Sequence, residues 1–115
     1  MYVQFHRQAN PGLVWYGGME EHAKLEALRP GSKTGEGSPY IKIEKTRTYR
    51  KNDGGSLLLK ARELLNRFIG DISRKGVRKL PQRTPFACNG VYDTKGEASN
   101  KLTVVCLYRK TTSLC

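Results

Sequence analysis

Hydrophobic and polar positions change period several times along this chain, and each change predicts an element. Tyr2-Val3-Gln4-Phe5 alternates and reads as a short strand. Asn10-Pro11-Gly12 predicts a turn, and Leu13-Val14-Trp15-Tyr16 a second short strand closed by Gly17-Gly18. Residues 19–29 are good helix formers stopped by Pro30-Gly31. Gly31 to Pro39 holds three Gly, two Ser and one Pro, the composition of a flexible loop. Tyr40 to Arg50 is a long strand with Ile41, Ile43, Lys45, Arg47 and Tyr49 on one face. It starts apolar and ends basic, so its second half is expected to project past the core.

Ser56 is a candidate N-cap for the strongest helix signal in the chain, Leu57 to about Arg74. Leu57, Ala61, Leu64, Leu65, Phe68 and Ile72 follow the 3.6-residue period, and Leu58 and Ile69 widen the stripe. Lys60, Arg67 and Arg74 recur every seven residues on another face, and Glu63 is placed to pair with Arg67. Gly76 ends the helix. Val77 to Pro85 is basic and reads as an extended connector. Phe86–Tyr92 and Leu102–Arg109 then form a hairpin. A symmetric loop sets Phe86 opposite Tyr108, Cys88 opposite Cys106, Gly90 opposite Val104 and Tyr92 opposite Leu102, all on one face. Thr111 to Cys115 is expected to be a loose tail. The order is ββαβαββ: one α+β domain over residues 1–115, a mostly antiparallel sheet packed by one long amphipathic helix.

Charge narrows the picture. The 115 residues carry 21 Lys and Arg against 10 Asp and Glu, a formal +11. Residues 42–83 hold 13 of those cations and four of the acids, so they contribute +9 and the other 73 residues +2. A solubility device would spread both signs over the surface. This concentration is the footprint expected of a polyanion binder. The sequence therefore predicts a non-enzymatic nucleic-acid-binding protein, DNA or RNA, held mainly through phosphates. The surface would comprise Lys42, Lys45, Arg47, Tyr49, Arg50, Lys51, Lys60, Arg67, Arg74, Lys75, Arg78, Lys79 and Arg83. Tyr49, between Arg47 and Arg50, is the aromatic best placed to stack a base, although an aromatic on a strand is more often core. An inhibitor or adaptor docking on an acidic protein would use the same charge around an apolar centre such as Trp15-Tyr16.

Chemistry is thinly represented. A metal-independent ribonuclease would draw on His6 or His22 with an acid and an arginine, but their spacing does not force them together. Gly31-Ser32-Lys33-Thr34-Gly35 departs from the phosphate-loop pattern, because its Lys precedes the second Gly. The three cysteines lack zinc-site spacing, and no cofactor is expected. An odd cysteine count and no leader-like apolar segment predict a cytosolic protein, with Cys88 and Cys106 as small buried thiols. No run approaches 18 apolar residues, so no membrane span is expected.

Overall fold

A computed structural model describes residues 1–35 and 37–110. Tyr2–Ala9 form a helix, α1, where alternation predicted a strand. Four alternating residues cannot separate the two periods. Tyr2, Phe5, His6 and Ala9 also lie on one helical face, and that face packs on the core. After the Pro11-Gly12 turn come β1 (Val14–Trp15), a 3₁₀ turn (Gly17–Met19) and α2 (Glu20–Leu28). Then follow β2 (Tyr40–Arg50), α3 (Leu57–Asn66), α4 (Ile69–Arg74), a second 3₁₀ turn (Val77–Lys79), β3 (Pro85–Asp93) and β4 (Ser99–Arg109). The observed order is αβαβααββ, so the chain is α+β, but not in the predicted ββαβαββ arrangement.

The sheet is mixed, in the order β1-β3-β4-β2, with β1 parallel to β3 and the other pairs antiparallel. The hairpin register is the predicted one, including Cys88 opposite Cys106 and Phe86 opposite Tyr108. β4 is central and buried on both faces. Leu102, Val104, Cys106 and Tyr108 meet α1, α3 and α4, while Val105 and Leu107 join Ala87, Met19 and Ala23 beneath α2. The sheet thus has helices on both sides rather than one long helix on one side.

The predicted long helix is broken at Arg67-Phe68. There the backbone N–H groups of both residues bond three residues back, to Leu64 and Leu65. Asn66 and Gly70, two weak helix formers, flank the break. Ala61, Leu64, Leu65, Phe68 and Ile72 are buried as expected, but Leu57, Leu58 and Ile69 are about half exposed (50%, 54% and 51%). The expected extended connector instead folds back. Val77 is fully buried, and the Asn10 amide donates to the carbonyls of Val77 and Leu80 at 3.0 and 3.1 Å. The basic end of β2 does not leave the core either, since Tyr49 is buried. Residues 111–115, expected to be a loose tail, lie outside the described residues.

Candidate functional site

Two polar centres lie within this frame, one on each side of the sheet. The first is built on α1. His6 is completely buried against Phe86 and Tyr108. Its Nδ1–H donates to the Tyr2 carbonyl at 2.8 Å, and its Nε2 accepts from the Tyr108 hydroxyl at 2.5 Å. A carbonyl can only accept, so these partners define one neutral tautomer. Burial lowers the His6 pKa to about 4, against a smaller upward pull from the Tyr2 carbonyl. Burial likewise raises the Tyr108 phenol. Beside them Cys88 and Cys106 form a disulfide, which overturns their reading as free thiols. Their Cβ atoms project to the same side of adjacent strands, so the register that brings them face to face also permits the bond.

His6 has a testable consequence. Its folded pKa lies below that of a free histidine, so the unfolded chain takes up the proton first. Stability is fully present above about pH 6.5 and is lost as pH falls toward 4. A decline of about 2 kcal/mol by pH 5 is expected from this group, measured by urea unfolding. His6→Phe should flatten that part of the profile.

The ligand atoms of His6, Cys88 and Cys106 lie within 4.8 Å of one another, the one such trio among the described residues. With both sulfurs bonded to each other and both ring nitrogens of His6 hydrogen-bonded, the trio has no free donor for a metal.

The second centre is Glu26, on α2 and fully buried. Its Oε2 accepts from the Gly31 N–H (2.7 Å), the Thr34 hydroxyl (2.9 Å) and the Lys42 ammonium (2.8 Å). Its Oε1 accepts from the Lys33 N–H at 2.8 Å. Burial pushes this carboxyl upward, but the four donors outweigh it and hold the pKa at about 2. The first residues of the Gly-rich segment are therefore wrapped around a carboxylate. No sequence pattern marked Glu26, because its partners come from a loop and from a different strand.

Five cations of the predicted basic surface enter ion pairs, and three more donate to uncharged oxygens. Lys42 is held by Glu26, Lys45 and Arg74 both by Asp71, Arg47 by Glu63, and Lys60 by Asp53. Glu63 therefore serves Arg47 from β2, not its helical neighbour Arg67. Lys75 donates to the Lys42 carbonyl, Arg78 to Ser73, and Lys51 to the Thr94 carbonyl. Tyr49 is buried with the Arg47 and Lys60 cations 5.2 and 5.0 Å from its ring centroid. Its ring is a core platform for two cations, not an open stacking surface. Lys60, expected on an outer helix face, is itself buried beneath Asp53 and Gly55. Arg50, Arg67, Lys79 and Arg83, on four separate segments, have neither an ion pair nor a side-chain hydrogen bond among the described residues.

The two histidines named for the ribonuclease alternative are not brought together. His6 packs on the sheet face under α1, while His22 is on α2 against the opposite face, where it bonds the Tyr40 hydroxyl at 2.7 Å. The sheet stands between them, so they cannot act as base and acid on one phosphodiester.

A small helix-flanked sheet tied internally by a buried disulfide is the build of a domain from an oxidising compartment. Residues 1–110 match the profile of the 15 kDa excretory/secretory protein family, and the chain belongs to that family. It is 32% identical over 114 residues to the 15 kDa excretory/secretory protein of Haemonchus contortus, covering 94% of this chain and 74% of that one. It is 34% identical over 98 residues to the 30 kDa antigenic glycoprotein of Trichostrongylus colubriformis, covering 85% and 68%. Among solved structures, manganese-bound Ac-ASP-7 superposes with a TM-score of 0.68 at 24% identity, covering 97% of this chain and 67% of that one. A second structure of this Ancylostoma-secreted protein gives 0.64 at 22%. At that identity the likeness concerns the fold. The trio of His6 and the bridged cysteines does not suit manganese, a hard cation that takes oxygen ligands.

These relationships overturn the nucleic-acid and cytosolic expectations. The family and its Haemonchus member are described as excretory/secretory, the Trichostrongylus relative as an antigenic glycoprotein and the Ancylostoma protein as secreted. Nothing in the fold or among the relatives identifies an acidic protein partner instead. The misleading signal was the local charge excess of residues 42–83, because a charge count does not say which cations and acids meet: Asp53, Glu63 and Asp71 pair within the segment and Glu26 reaches Lys42 from α2.

Proposed function

We propose that this protein is secreted and acts outside the cell by surface recognition, without catalysis. The Cys88–Cys106 disulfide carries the reading, because such a bond forms and persists in oxidising compartments and is rare in the cytosol. Membership of an excretory/secretory family supports it independently. The separation of His6 from His22 across the sheet supports the non-catalytic part. Antibody detection in the culture fluid of the source organism is the direct test. Intact-mass analysis after alkylation should find Cys88 and Cys106 protected in the secreted protein. Recovery only from cell lysate, with both thiols alkylated, would refute the proposal.

A further inference from the structure

We propose that the end of the molecule where β2 runs into α3 is a docking tip for an anionic phospholipid surface. The inference goes beyond secretion and does not depend on it. Residues 51–56 are all exposed, and three successive leucines follow in the first turn of α3. Leu57, Leu58 and Leu59 are 50%, 54% and 57% exposed. Successive helical residues point about 100° apart, so three leucines in a row cannot all face one core. Here none does. The buried face of the helix begins only at Lys60 and Ala61. Leu57 and Leu58 also border an open groove of about 330 Å³ whose other walls include Tyr2, Ala61, Tyr92 and Leu102.

Cations gather at this end of the molecule on both faces of the sheet, Lys95 and Lys101 toward α2 and Arg62 one turn beyond Leu58 on α3. Arg50 is the last residue of β2, opposite Ser99, and Lys51 reaches across to the Thr94 carbonyl. Lys101 lies opposite Thr48 and Asp93, Lys95 sits in the β3–β4 connection, and Arg62 follows on α3. All five are exposed, and none enters an ion pair among the described residues. Two acids at this end, Asp53 and Glu63, are occupied by Lys60 and Arg47, which leaves Asp93 and Glu97 against the five. Exposed leucines at an end of the molecule rich in unpaired cations match a bilayer interface: leucines enter the acyl boundary and cations meet headgroup phosphates. A second copy of this chain fits less well, since it would set the same positive end against itself.

The experiment is co-sedimentation of the oxidised protein with phosphatidylserine/phosphatidylcholine vesicles and with phosphatidylcholine alone. Wild type is expected to partition onto the anionic vesicles and to be released by high salt. Leu58→Ser with Leu59→Ser should lower that partition about tenfold or more, the scale of withdrawing two leucine side chains from an apolar phase. Both positions are exposed, and circular dichroism should show an unchanged fold. Arg50→Glu with Lys51→Glu should weaken binding in the same direction. Wild type left in the supernatant with both vesicle types would overturn the proposal. So would equal binding by the leucine variant, which would reduce the effect to charge adsorption. A concentration-dependent dimer in sedimentation velocity that the leucine substitutions dissolve would assign the tip to a second copy instead.

Discussion

Cys88→Ser, made together with Cys106→Ser, is expected to lower unfolding free energy by about 3 kcal/mol, the loop-closure scale for a bridge of this span. The two cysteines are 18 residues apart, so the bond restrains a hairpin-sized loop in the unfolded chain. Both sulfurs are buried between β3, β4 and the His6 ring, so the serine hydroxyls would also enter an apolar site. In calorimetry this amounts to a fall in Tm on the order of 10 °C for a domain of this size. Native protein treated with a reductant should resist at first, because Cys88 and Cys106 are 2% and 0% exposed. A double variant that melts with wild type would show that packing alone supports the hairpin.

Glu26→Gln is the second large effect. The carboxylate receives four hydrogen bonds, from Gly31, Lys33, Thr34 and Lys42, and an amide cannot accept all of them. Its NH₂ would face donors, and the Lys42 ammonium would lose its counter-charge. A cost of about 3 kcal/mol is expected, that of breaking a buried, hydrogen-bonded charge pair. The pH profile gives an independent readout. The folded pKa of about 2 lies below that of a free glutamate, so this contribution is complete above about pH 4.5 and is lost as pH falls toward 2. It therefore begins to fail where the His6 contribution is already spent, and acid unfolding should proceed through two adjoining windows. In urea titrations from pH 6 to 2.5, Glu26→Gln should remove the lower window and leave the upper. A variant profile parallel to wild type below pH 4.5 would show that the carboxylate is no better solvated by the fold than by water.

Much of the fold was legible before any coordinates. β2 has the predicted boundaries, Tyr40–Arg50, because an eleven-residue alternation between a Gly-rich segment and a Gly-Gly turn has one reading. The hairpin register followed from loop symmetry and strand length. The core side of the 57–74 segment followed from its period, down to Phe68 and Ile72. Short segments failed. Tyr2–Phe5 fits two periods, and its helical form is selected only by the hydrophobic surface of β3 and β4 that receives Phe5 and His6.

The candidate chemistry divides in the same way. The sequence by itself determined the α+β class, the facing of Cys88 and Cys106, and a strongly basic chain, since each depends on local order and composition. Tertiary packing alone settles that those cysteines are bonded, that His6 and His22 lie on opposite sides of a sheet, and that Glu26 and Asp71 pair with three of the cations. The physical reason is that a net charge is a sum over residues, whereas an electrostatic surface depends on which residues meet. Lys42 and Glu26 are 16 positions apart, and Lys45 and Asp71 are 26 apart. Such pairs form only once α2 and α4 have packed against the sheet.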